Sequence, residues 1–234
     1  MIDRYLDWKA WDGVDFGRFS QEDAIYFTHE LRNSGFDSLV GLRIGELGFG
    51  NGCFGGWVHK AGGKWVGREA ISELQQRAKN AGFDVVSADE TFSDVYGAAS
   101  FDLIVALDVI EHLKIENIRI FLAECKEALK PGGVLIFRVP SGDSPFSGAI
   151  YYGDLTHRTL LGSSAVRQIA VESGLNVVKI CSPVLPVRGM GLFRGSRRLA
   201  VWLVQIIVFP VIRSFLMGNG SAVISPNMIV VLQK

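Results

Sequence analysis

Residues 42–52, Leu-Arg-Ile-Gly-Glu-Leu-Gly-Phe-Gly-Asn-Gly, carry the densest chemical signal in this chain of 234 residues. A short apolar run delivers a carboxylate, Glu46, and then three alternate glycines, Gly48, Gly50 and Gly52. Glycine tolerates positive φ and lets backbone approach a ligand closely. A helix starting after Gly52 would turn its first N–H groups toward the loop, and Glu46 would add a fixed acceptor beside those donors. Such a site suits a ligand bearing both a cationic amine and a carboxylate. The plainer alternative is a tight strand-to-helix turn that binds nothing.

Further acids fall where later strands should end. Glu69 closes the second strand, where a carboxylate can accept both hydroxyls of a ribose; as a solvated acid it would still suit a helix N-terminus. Asp89 closes the third, and Asp108, Glu111 and His112 follow the fourth in Leu-Asp-Val-Ile-Glu-His-Leu. An unperturbed imidazole titrates near operating pH, which makes His112 a candidate general base, with a structural role as the alternative. After the fifth strand come Ser141-Gly-Asp-Ser-Pro145 and then Tyr151-Tyr-Gly-Asp-Leu-Thr-His-Arg-Thr159. Asp154 and His157 lie three positions apart, so the carboxylate can orient the imidazole for proton removal. A loop stapled by its own hydrogen bonds is the alternative. Trp8, Trp11 and Phe16 form a candidate lid, or simply pack on the domain.

The elements that must hold these residues follow from periodicity. Ser20 and Asp23 cap a helix running to about residue 32. Strands are expected at 42–47, 64–68, 84–87, 101–107 and 134–139, alternating with helices at 53–61, 71–80 and 116–129. A helix opening at Ser163/Ser164 and ending at Gly174, then strands at 175–181 and 228–232, complete the set. Continuous apolar strands alternating with helices mean a parallel sheet buried on both faces. That is a doubly wound α/β fold, whose ligands sit at the carboxyl edge.

The order Glu-x-Gly-x-Gly-x-Gly (46–52), Val66-Gly-Arg-Glu69, Ala88-Asp89, Phe101-Asp-Leu-Ile-Val-Ala-Leu-Asp108 and Leu129-Lys-Pro-Gly-Gly133 resembles class I S-adenosylmethionine-dependent methyltransferases over about residues 40–182. The resemblance implies a seven-stranded, mostly parallel sheet with helices on both faces. It places S-adenosylmethionine across the ends of strands one to four, held by Glu46, Gly48, Gly50, Gly52, Glu69, Asp89 and Asp108. Methyl transfer to an alcohol needs proton removal, which gives His157, Asp154 and His112 catalytic roles. The loops after the fifth strand, with Ser225-Pro-Asn227, are similar to those of methyltransferases of bacterial surface-polysaccharide synthesis, implying O-methylation of a sugar, free or carrier-linked; a quinone is the other acceptor considered. The alternatives are an NAD-dependent oxidoreductase, since Gly50, Gly52 and Gly55 also fit Gly-x-Gly-x-x-Gly, and a methyltransferase-like protein that binds without turnover.

Formal net charge is zero, from 24 basic and 24 acidic residues, so no global field draws the chain to nucleic acid. The three cysteines, Cys53, Cys125 and Cys181, give neither a disulfide framework nor a metal-ligand spacing. The charged start lacks the apolar core of a signal peptide, and a cytoplasmic location is expected. One methyltransferase domain should fill residues 1–234, with a helical lid over 1–35 and an insertion over 183–225. There, Arg188, Arg194, Arg197 and Arg198 precede an apolar run from Leu199 to Ile212, closed by Arg213. Fourteen residues fall short of the roughly 20 that span a bilayer, and Pro210 should break or kink a helix. Residues 188–213 are therefore expected to meet a membrane surface peripherally, a dimer partner, or the chain's own core.

Overall fold

The structure is a computed structural model that describes residues 9, 11, 15–187, 189, 191–216 and 222–234. Ser20 and Asp23 start the first described helix by capping each other: Asp23 N–H donates to Ser20 Oγ at 3.1 Å, and Ser20 N–H donates to Asp23 Oδ2 at 2.8 Å. This helix, α1 (Gln21–Asn33), leads into an alternation of strands and helices. β1 (Arg43–Leu47), α2 (Cys53–Lys60), β2 (Lys64–Arg68), α3 (Ser72–Asn80) and β3 (Asp84–Val86) form the first half. α4 (Phe92–Tyr96), β4 (Phe101–Leu107), a 3-10 turn (Ile110–His112), α5 (Ile115–Ala128) and β5 (Leu129–Pro140) follow. α6 (Gly148–Tyr151), α7 (Ser163–Ser173), β6 (Asn176–Cys181), α8 (Leu192–Leu216) and β7 (Asn227–Gln233) complete the chain.

The seven strands make one sheet in the order β3-β2-β1-β4-β5-β7-β6. All neighbours are parallel except β7, which runs antiparallel to both β5 and β6. The chain reverses direction along the sheet between β1 and β4, so the carboxyl ends of those strands diverge into a crevice. Alternate side chains feed two cores. Ile104, Ala106, Leu135 and Phe137 face one, and Leu103, Val105, Trp65 and Ile44 face the other. The doubly wound, mostly parallel sheet expected from the sequence is borne out.

Two expectations need correction. β5 begins at Leu129, not near residue 134: Leu129 pairs with Phe101 before a register shift, and the Pro-Gly-Gly turn lies inside the strand. The second concerns the insertion. α8 runs through Pro210 for 25 residues, although the proline removes one N–H from the ladder and crowds the carbonyl four residues before it. By length and composition it is enough to cross a membrane, and none of its most apolar stretch is buried. Val201, Ile206 and Val208 are 43%, 49% and 38% exposed, so the segment is not core. Trp8 and Arg188 lie outside the described residues.

Candidate active site

The glycine loop ends β1 as its sequence demands. Gly48, Gly50 and Gly52 have φ of 67°, 54° and 72°, the region closed to most side chains. Space is equally restrictive. A Cβ on Gly48 would come within 2.5 Å of Val109, on Gly50 within 2.7 Å of Trp11, and on Gly52 within 2.2 Å of Phe16. Trp11 and Phe16 thus lie against the loop, with Gly17 N–H donating to Asn51 O at 2.9 Å and an Arg77 guanidinium N–H to Trp11 O at 3.1 Å.

Glu69, buried at the end of β2, is bonded to this loop: Gly50 N–H donates to Oε2 at 3.0 Å. Oε1 accepts the Ala70 and Ile71 amides at 2.8 and 3.2 Å. Asp89 stands exposed after β3. Asp108 follows β4 with φ of 58°, unusual for a residue other than glycine. Its carboxylate takes a forked pair from Arg138 of β5, with Nε to Oδ1 at 2.8 Å and Nη2 to Oδ2. Arg138 Nη1 also donates to Tyr26 of α1 at 3.1 Å. Burial works against the Arg138 charge, but the Asp108 carboxylate more than offsets it, and the guanidinium's pKa is raised.

Glu46 departs from its expected place. It is buried, with the Trp65 indole N–H donating to its Oε2 at 2.7 Å, so it is held by the core instead of standing open beside the loop. Desolvation pushes its pKa up to about 8, against the Trp65 hydrogen bond, and nearby Glu69 pushes it the same way.

A second cluster forms where the 3-10 turn after β4 meets the loop beyond α6. His112 and His157 rings lie edge to face with centroids 4.7 Å apart. His157 Nδ1 lies 2.7 Å from the Tyr151 carbonyl, which can only accept, so the proton sits on Nδ1 and Nε2 carries the lone pair. The expected Asp154–His157 hydrogen bond is absent: Asp154 Oδ2 is 4.0 Å from His157 Nε2. Asp154 Oδ1 instead receives the Thr156 hydroxyl at 2.5 Å, and Thr156 Oγ1 lies 2.9 Å from His112 Nδ1. Burial opposes ionisation of Asp154, yet the Thr156 hydrogen bonds outweigh it and hold the carboxyl below its usual range. His112 is pushed down by burial and by His157.

Glu111 completes the cluster at 2% exposure, with Oε1 4.0 Å from His157 Nε2 and Oε2 without a hydrogen-bond partner among the described residues. Desolvation, helped by Asp108, lifts its pKa to about 8. Glu111, His112 and His157 each bring a candidate ligand atom to within 4.8 Å of the others, a convergence that linear spacing did not reveal. The sequence also passed over Arg138, Thr156 and Tyr151. A lone arginine inside the apolar strand Leu-Ile-Phe-Arg-Val was a signal; the carbonyl of Tyr151 left none.

Sheet order, glycine loop and edge acids define a Rossmann-like methyltransferase fold. Comparison with known proteins agrees: residues 45–137 match the family model described as a methyltransferase domain. The mitochondrial Ubiquinone biosynthesis O-methyltransferase of Rattus norvegicus is 31% identical over 108 residues, 42% of this chain and 30% of that protein. The Ubiquinone biosynthesis O-methyltransferase of Cereibacter sphaeroides is 29% identical over 101 residues, 41% of this chain and 40% of that protein. The matches thus span less than half the length of these relatives. A SAM-dependent methyltransferase structure from Archaeoglobus fulgidus aligns with a TM-score of 0.63 over 92% of this chain and 95% of that one, at 18% identity. The Burkholderia thailandensis 1,6-didemethyltoxoflavin-N1-methyltransferase, solved with S-adenosylhomocysteine, aligns with a TM-score of 0.55 over 100% of this chain and 84% of that one, at 14% identity. The stretch that matches the methyltransferase-domain model, residues 45–137, holds the glycine loop, Glu69, Asp89 and Asp108.

Proposed function

We propose that this protein is an S-adenosylmethionine-dependent O-methyltransferase acting on a small hydroxylated acceptor. The observation that carries the reading is Glu69 bonded to Gly50 inside a loop of three positive-φ glycines, at the switch point of this sheet. Gly48, Gly50 and Gly52 let backbone approach the cofactor, Glu69 receives its ribose, and Asp89 and Asp108 border it on either side. Glu46 supports the loop from the core. When bound, the cofactor supplies an electrophilic methyl group. Trp11 and Phe16, packed on Gly50 and Gly52, act as a lid over the loop.

His157 is the acceptor's general base. Its Nε2 lone pair is fixed by the Nδ1–Tyr151 contact, and the proton it takes from a hydroxyl is stabilised by the Asp154 carboxylate, 4.0 Å away. His112, locked by Thr156, shapes the same wall and is a weaker candidate for proton transfer. The two ubiquinone-biosynthesis O-methyltransferases named above favour a quinone-related hydroxylated acceptor. They lend no support to the sugar of surface-polysaccharide synthesis, and nothing in the geometry favours NAD chemistry. Calorimetry with S-adenosylhomocysteine and with NAD tests the cofactor, and labelled methyl transfer to polyhydroxybenzoates and nucleotide sugars tests the acceptor. Tight NAD binding without response to S-adenosylhomocysteine would sink the reading.

A further inference from the structure

α8 is apolar on every side. Val201, Trp202, Leu203 and Val204 are consecutive, and at 3.6 residues per turn they point around the whole circumference; all four are exposed. A partner's groove or a second copy of the chain covers one stripe of a helix. A helix apolar all round calls for an apolar surrounding, which in isolation is lipid hydrocarbon. The charges agree. Across residues 188–225 there are five arginines and no acidic residue, although the chain as a whole is neutral. Three of them, Arg194, Arg197 and Arg198, sit at the start of α8 and Arg213 near its end, where long basic side chains reach anionic headgroups.

Connectivity decides how the helix meets that lipid. Its first turns are fastened to the domain: Arg194 and Arg198 pair with Glu22 of α1, and Arg198 Nη1 donates to Pro186 O at 3.2 Å. Beyond its end, Val223 is fastened again, its N–H donating to Asp143 Oδ2 at 3.1 Å and its carbonyl accepting Ser141 Oγ at 2.8 Å. Only residues 217–222 join Leu216 to Val223, and fully extended they reach at most about 25 Å. The hydrocarbon core is about 30 Å thick, and a bare return strand within it would leave its backbone groups unpaired. A helix of crossing length therefore cannot cross here.

We infer that α8 is a monotopic anchor: it lies in the plane of an anionic bilayer surface, with Arg197 and Arg213 at the headgroups and Arg194 and Arg198 holding its start to the domain. The loop bearing His157 is drawn to the same surface. It is tied to the end of the insertion by Ser144 Oγ to Ile224 O at 2.6 Å, and it exposes Phe146, Tyr152 and Leu155. An acceptor dissolved in the bilayer would then reach His157 without crossing water, a consequence that rests on the methyltransferase reading.

The test is co-sedimentation of the full chain with phosphatidylcholine vesicles, with and without phosphatidylglycerol. Binding should require the anionic lipid and fall with salt. Arg197→Ser should weaken it by about fivefold, and Leu203→Glu/Ile207→Glu by about tenfold or more. These side chains are exposed, so the melting temperature should stay unchanged and cofactor binding, read separately, should persist. An alkaline carbonate wash should release the protein. Sedimentation indifferent to phosphatidylglycerol, resistance to carbonate, or a dimer that Leu203→Glu/Ile207→Glu dissociates would each overturn the inference, the last in favour of a second copy.

Discussion

The Asp154 carboxylate stops 4.0 Å short of His157 Nε2, while the Tyr151 carbonyl holds Nδ1 of the same ring at 2.7 Å. Orientation and charge stabilisation are thereby divided between two groups, and the sequence spacing had assigned both to Asp154. His157→Ala should lower turnover by about 10²–10⁴-fold, the usual cost of losing a general base, with S-adenosylhomocysteine affinity nearly unchanged. Asp154→Asn should cost far less, since it removes a charge at a distance and leaves the ring's tether in place. Equal losses in both variants would return the orienting role to Asp154.

Glu46 and Glu111 make stability depend on pH in an unusual direction. Each keeps its proton in the folded state up to about pH 8, because burial penalises the anion, whereas the unfolded chain gives it up in the ordinary carboxylate range. Between those limits the native state binds more protons, so stability falls as pH rises and levels off above about pH 8. Urea midpoints should therefore decline from pH 5 to pH 8. Glu46→Gln keeps an acceptor for the Trp65 indole and removes the titration, so it should flatten the curve. An unchanged slope in that variant would show that Glu46 ionises freely in the fold.

The glycine loop should be intolerant in two separable ways. Gly52→Ala places a methyl against the Phe16 ring at a φ of 72°, and such a conformation costs about 1–3 kcal/mol for a residue with Cβ. Thermal unfolding should register that loss. Glu69→Ala, by contrast, should act first on the cofactor. It removes a charged hydrogen-bond acceptor worth about 1.5–3 kcal/mol, so S-adenosylhomocysteine should bind on the order of 10- to 100-fold more weakly in calorimetry. Full affinity in Glu69→Ala would take the ribose elsewhere.

The sheet was legible because its signals are local. Apolar runs at 42–47 and 101–107 and the Ser20–Asp23 cap each act within a few residues, and they fall where the strands and the first helix form. What could not be read were contacts set by tertiary packing. Glu46 looks like a ligand-facing acid in the linear motif, and only the placement of Trp65 on the neighbouring strand shows where its oxygen goes. The Asp108–Arg138 fork joins the residue just past β4 to one on the paired strand β5, 30 positions away. Pro210 misled for the opposite reason: a local rule predicted a break, and the helix continues on both sides of it.

Metal removal discriminates between two uses of one cluster. Glu111, His112 and His157 converge within 4.8 Å, and both imidazoles present Nε2, since each Nδ1 is held by Thr156 or Tyr151. Three such groups can handle a proton or hold a cation. The buried Glu111 carboxyl keeps its proton up to about pH 8, which suits the first use, because a ligating carboxylate must give that proton up. Turnover should therefore survive exhaustive dialysis against a chelator, and added divalent ions should not raise it. If chelation abolishes activity and a stoichiometric divalent ion restores it, His157 is a ligand, and the acceptor's proton leaves under the influence of the metal instead.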